Sequence, residues 1–217
     1  KRYAFCPTGE GGGIDNSCSS AGGGLSDSGG LAKEQLSQAK AMGSTFSEMF
    51  KANRIPTEKD IRDGKFANVK IDPTLSGHLA GVMGHDGVMR LSPQSFLSEP
   101  GREHGKLDTT LFSHEVGHMV AGDIIAANKG RVPAVLKPWR KGDKETAGFD
   151  NFAGASDRPE EFLSDVYSDL LHGGRNGWES KKYLDVYDLV AAHAKRIGLP
   201  SEQVFTVNKG KFSVKKH

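Results

Sequence analysis

The stretch LFSHEVGH, Leu111 to His118, constrains this chain more than any other. It holds two histidines four positions apart, with a glutamate directly after the first. On a helix they lie one turn apart on the same face. The surroundings decide for the helix: Leu111, Phe112, Val116, Met119, Val120 and Ile124 recur along one side, and Asp108 or Thr109 is available as an N-cap. The spacing therefore predicts an amphipathic helix over 108–127. Gly117 falls inside it at a cost of about 1 kcal/mol, so another element is expected to pack closely there.

Two imidazoles one turn apart can bind a single zinc ion at about 2.0–2.1 Å each. A carboxylate beside them can take a proton from a zinc-activated water and deliver it to a leaving amine. His114 and His118 are thus candidate metal ligands, and Glu115 is the candidate general base. The third ligand is not on the same helix. The pattern HExxHxxGxxH would need glycine at position 121 and histidine at position 124, where this chain has Ala121 and Ile124, and Asp123 is one place out of register.

The segment RPEEFLSDVYSDLL supplies a carboxylate instead. It predicts a helix over 158–172, capped by Ser156 or Asp157, with Pro159 in the first turn and Gly173 past the end. Phe162, Leu163, Val166, Tyr167, Leu170 and Leu171 form its apolar face; Glu161, Ser164, Asp165 and Ser168 form the other. Glu161 is the candidate third ligand, because Asp165, one turn on, can accept the outer N–H of a ligand histidine and fix its orientation. Glu160 is the alternative, but it would put Ser164 where that acid belongs. The competing reading is a pair of ordinary amphipathic helices with solvated polar faces.

HEVGH followed by EEFLSDVYSDL resembles the glutamate-zincins, and more narrowly the catalytic domain of the anthrax lethal factor type. The resemblance covers residues 107 to 172 at most. It implies an α+β zincin-like metallopeptidase fold, with a small mixed or antiparallel sheet packed on the HExxH helix. It also implies zinc bound by His114, His118 and Glu161, with Glu115 as base and Asp165 behind a ligand histidine. That family has a tyrosine shortly before the ligand glutamate to face the oxyanion, whereas residues 140–156 here contain Phe149 and Phe152 and no tyrosine. His172, Tyr183 and Tyr187 are the candidates for that role.

The rest of the chain fits a single unit. Its 217 residues, 36% of them hydrophobic, suffice for one core. Residues 1–30 read as a Gly-rich N-terminal arm, and 31–217 as the metallopeptidase-like domain. The arm contains both cysteines, Cys6 and Cys18, whose pairing the sequence leaves open. Its FCPTGEGGGIDNSC is similar to segments of phage-derived or toxin-like polyproteins.

Residues 31–52 predict one kinked helix or two short ones, broken at Gly43-Ser44. NVKI, HLAGVM and GVMRLSP predict short strands with a hairpin at Asp86-Gly87. GVMRLSP is the candidate edge to which an extended peptide could add. Residues 128–156 read as a long connection, 179–197 as a helix, and the tail as a hairpin at Asn208-Lys209-Gly210. His78, His85, His104, His193 and His217 are isolated and read as surface or turn residues.

The expected partner is a peptide or protein substrate. Lys plus Arg number 29 against 27 Asp plus Glu, and no basic stretch carries interleaved aromatics, so nucleic acid is not expected. No run approaches the roughly 18 apolar residues of a membrane span, and the start lacks a signal peptide's apolar region, so a soluble product is expected. Beginning at Lys1, the chain reads as a processed product or an excised domain, with its compartment and oligomeric state open. Two functions follow: a zinc-dependent endopeptidase, or a noncatalytic structural or interaction module of a phage particle or toxin on the same scaffold.

Overall fold

The computed structural model describes residues 30–75, 80–84, 86–96, 105–137, 158–177, 180–208 and 211–217. The architecture is α+β. In chain order the elements are α1 (Lys33–Ala52), α2 (Glu58–Arg62), β1 (Val69–Ile71), β2 (Gly81–Met83), β3 (Met89–Leu91), α3 (Thr109–Ala127), α4 (Pro159–Leu171), α5 (Lys181–Ile197), β4 (Phe205–Asn208) and β5 (Lys211–Val214). Among the described residues, no helix is long and apolar enough to cross a membrane. The arm with Cys6 and Cys18 and most of the connection after Leu136 lie outside the described residues, as do His78, His85 and His104.

Helix α1 runs without interruption through Gly43, where a break was expected. The glycine is there for a neighbour: a Cβ would meet the carbonyl oxygen of Gly198 at 2.5 Å. Met42, Phe46 and Met49 bury one side of α1, and Phe46 meets Phe112 of α3 edge-on at 5.2 Å between centroids. The C-terminal hairpin β4–β5 closes the same core. Phe205 lies fully buried in it and stacks on His172 at 4.9 Å.

Helix α3 is the centre of the molecule. Its expected polar face does not exist, since Thr109, Leu111–Gly117, Met119–Ala121, Asp123 and Ile124 are all buried. Asp108 caps it, accepting from the N–H groups of Thr110 and Leu111 at 3.0 and 3.3 Å. Near the other end Asp123 accepts from Arg196 Nη2 at 2.6 Å, and its other partners are His193 Nδ1 at 2.8 Å and the Leu31 N–H at 3.4 Å. Burial would raise its carboxyl, but His193 and Arg196 outweigh burial and hold it below the usual range. His193 is therefore no isolated surface residue. It helps clamp α3 to α5, a contact across 70 positions that local spacing does not reveal.

The sheet corrects a second expectation. Strand order is β1-β3-β2, with β1 parallel and β2 antiparallel to β3. The Met89 and Asp72 N–H groups bond to Asn68 and Leu91 on the β1 side. Ser92 N–H donates to Ala80 and Gly84 N–H to Val88 on the other. The GVMRLSP strand is thus central, with both edges used, and cannot accept an added strand. The outer strands are β1 and β2, and β2 is the one packed on α3. Because residues 80 and 84 face β3, Gly81 and Met83 direct their main-chain groups outward, and among the described residues no strand pairs there.

Candidate metal centre

The site forms where α4 crosses α3. Gly117 permits the crossing: a Cβ on it would lie 2.7 Å from both Cα and O of Ser164, as the cost of a mid-helix glycine suggested. One turn away Ser113 and Ser168 hydroxyls bond at 2.7 Å, which satisfies two polar groups that the close approach buries. Ser164 and Ser168 are buried, so the polar face of α4 is turned onto α3 rather than into water. Pro159 starts α4, as expected, while Ser156 and Asp157 lie outside the described residues and Arg158 takes the N-cap position.

This packing brings His114, His118 and Glu161 together, with one potential ligand atom from each lying within 4.8 Å of the others. His114 Nε2 stands 3.5 Å from Glu161 Oε2. Two donors on a tetrahedral zinc would be about 3.3 Å apart, so the pair already has near-ligating separation. The imidazole rings are mutually perpendicular, with centroids 5.0 Å apart. Glu160 is exposed, which leaves Glu161 as the acid of that pair at the site.

Behind the ligands, Asp165 Oδ1 lies 2.6 Å from His114 Nδ1. A carboxylate there accepts a hydrogen bond from Nδ1–H, which keeps the proton on Nδ1 and leaves Nε2 as the lone-pair nitrogen, the state a metal requires. Asp165→Ala is expected to weaken zinc binding about 10- to 100-fold, measured by competition with a chromophoric chelator. Unchanged affinity would show that Asp165 has no hold on the ligand.

Electrostatics separate the histidines. Burial alone would lower His114, but the Asp165 and Glu161 carboxylates outweigh it and push the imidazole up to about 10. Burial, then the positive charge of His114, pushes His118 down to about 4. Burial would likewise raise Glu161, yet His114, His118 and Arg158 together hold its carboxyl below the ordinary value. The site thus presents one neutral imidazole, one carboxylate and one imidazole that gives up a proton on ligation.

Glu115 is fully buried, and among the described residues neither of its side-chain oxygens has a hydrogen-bond partner. Burial pushes its carboxyl up to about 7, with the His114 charge opposing and Glu161 adding to the rise. Its Cγ sits under Gly81 of β2, where an added Cβ would come within 3.1 Å. The outer edge of β2 therefore passes directly over the candidate base.

The three oxyanion candidates are all committed elsewhere. His172 Nε2 pairs with Thr109 Oγ1 at 3.0 Å and its Nδ1 with the Ser168 carbonyl at 2.7 Å. Tyr183 and Tyr187 are fully buried with rings 5.5 Å apart, and the Tyr187 hydroxyl donates to Asp169. Arg158 was missed. Its Nη2 lies 3.5 Å from Glu161 Oε1, and its three-residue spacing on α4 was the available signal.

The arrangement is able to hold a metal ion, with a buried carboxylate beside it and the outer edge of strand β2 above. Comparison of the chain with protein-family models, with curated proteins and with solved structures finds no match.

Proposed function

We propose that this chain is a zinc-dependent endopeptidase of zincin-like fold, resembling the glutamate-zincins, with His114, His118 and Glu161 as ligands and Glu115 as general base. The observation that carries the reading is the buried Glu115 carboxylate, unpartnered among the described residues, beside three converging ligand groups. A buried carboxyl without hydrogen bonds is costly, and a purely structural module has no use for it. Two imidazoles and a carboxylate in a closed, partly buried set are the donor chemistry of a catalytic zinc.

Zinc bound there would act as a Lewis acid and lower the pKa of a water towards about 7. The chain's own residues do the rest. An extended peptide pairs with the outward main-chain groups of Gly81 and Met83, which lays its scissile bond across the site. Glu115 takes the proton of the attacking water and hands it to the departing amine nitrogen. Asp165 keeps His114 oriented throughout.

Purified protein is expected to hold one zinc per chain, measured by elemental mass spectrometry, and His114→Ala to lose it. The same protein is expected to cleave an unbiased peptide library, to stop on chelation and to resume on adding zinc. Cleavage that survives complete metal removal would rule out the reading. A metal-loaded protein that cleaves nothing would favour the noncatalytic module.

A further inference from the structure

A peptide carbonyl gains negative charge as water adds to it, and a site that hydrolyses amides needs a donor for that charge. Each side chain expected in this role is tied into the core, as described above. Arg158 is not. It is half-exposed at the N-terminal end of α4, and among the described residues its one side-chain contact is the 3.5 Å approach to Glu161 Oε1. Its backbone is held by the Phe162 N–H donating to its carbonyl at 3.2 Å and by Pro159 directly after it. The guanidinium thus stands beside the ligand set, and among the described residues no hydrogen bond engages its five donors.

We propose that Arg158 is a catalytic residue, whose guanidinium donates hydrogen bonds to the carbonyl oxygen of the scissile peptide as that oxygen becomes negative. This rests on the peptidase reading above. In the addition step the water oxygen bonds to the carbonyl carbon, its proton goes to Glu115, and the C=O π pair moves onto the oxygen facing Arg158. In the collapse that pair re-forms the carbonyl, the C–N bond breaks, and the nitrogen takes the proton from Glu115. Arg158 stays protonated throughout and contributes only charge and geometry.

The test begins with the best-cleaved library sequence. That sequence is made both as the amide and as a phosphinic pseudopeptide, whose anionic phosphinate carries the charge of the adduct. Both are titrated calorimetrically into the zinc-loaded full chain in a Glu115→Gln background, with and without Arg158→Met. Phosphinate binding is expected to weaken about 100-fold in Arg158→Met, while amide binding and zinc affinity stay within about threefold. Arg158→Lys is expected to recover part of the loss. Unchanged phosphinate binding overturns the proposal, and so does a parallel fall in zinc, amide and phosphinate binding, which would make Arg158 a support for Glu161 alone. If zinc binds but no library peptide is cleaved, the peptidase reading itself fails and this assignment falls with it.

Discussion

Glu115→Gln is expected to lower kcat/KM for any cleaved peptide by about 10³-fold or more while leaving zinc bound one to one. General acid–base catalysis contributes about 10²- to 10⁴-fold, and here a single carboxyl serves both proton transfers. Retained zinc follows because Glu115 is outside the converging set of His114, His118 and Glu161. Stability supplies an independent readout. In the wild type a fully buried carboxyl has no hydrogen-bond partner among the described residues, an unfavourable arrangement for folding. Gln has the same shape and no charge to desolvate, so the variant's melting temperature is expected to equal or exceed that of the wild type. A variant that melts lower and cleaves as before would reverse the assignment, making Glu115 a structural residue. The noncatalytic scaffold gives a third pattern, with no cleavage by either protein.

Much of this site could be read from the sequence because its parts are local. The HEVGH spacing, the Glu161 and Asp165 pair one turn apart, and the helix-interior Gly117 are each contained in a single helix. Their rationale survives in the structure as ligand convergence, the Asp165 contact and the Ser164 approach. What the sequence could not show depends on pairings between distant segments. GVMRLSP looks like an edge strand until β1, some twenty residues earlier, takes its second side. Helix α3 looks amphipathic because Ser113, His114 and Glu115 are polar, yet tertiary packing buries them all. His193 and Asp123 are unremarkable alone and become a clamp only when α5 lies against α3. Arg158 was hidden for the opposite reason: a half-exposed arginine at a helix start is ordinary until Glu161 is seen to converge with His114 and His118.

The same dependence on packing makes Gly117→Ala the most informative structural variant. In an isolated helix the change would be favourable by about 1 kcal/mol. Here the new methyl would sit 2.7 Å from the Cα and carbonyl oxygen of Ser164, both backbone atoms that cannot swing aside. Relief requires α3 and α4 to part by about 1 Å, because carbon–carbon contacts are comfortable only near 3.5–4.0 Å. Overpacking of this kind typically costs about 1–3 kcal/mol, and more where backbone must move. In a chain of this size each kcal/mol shifts the melting temperature by about 2–4 °C, so a fall of roughly 5–10 °C is expected. The larger effect is on the metal. Separating the helices moves Glu161 away from His114 and His118, and zinc bonds tolerate only about 0.2 Å, so affinity should drop by about 100-fold or more. Gly122→Ala on the same helix is the control. Its added Cβ would meet only the flexible Leu31 side chain at 3.6 Å, and it is expected to keep zinc and melt at the same temperature or slightly higher. Equal behaviour of the two variants would mean that the Gly117 crossing does not hold the ligands in register; zinc loss confined to Gly117→Ala would tie the metal centre to one missing methyl group.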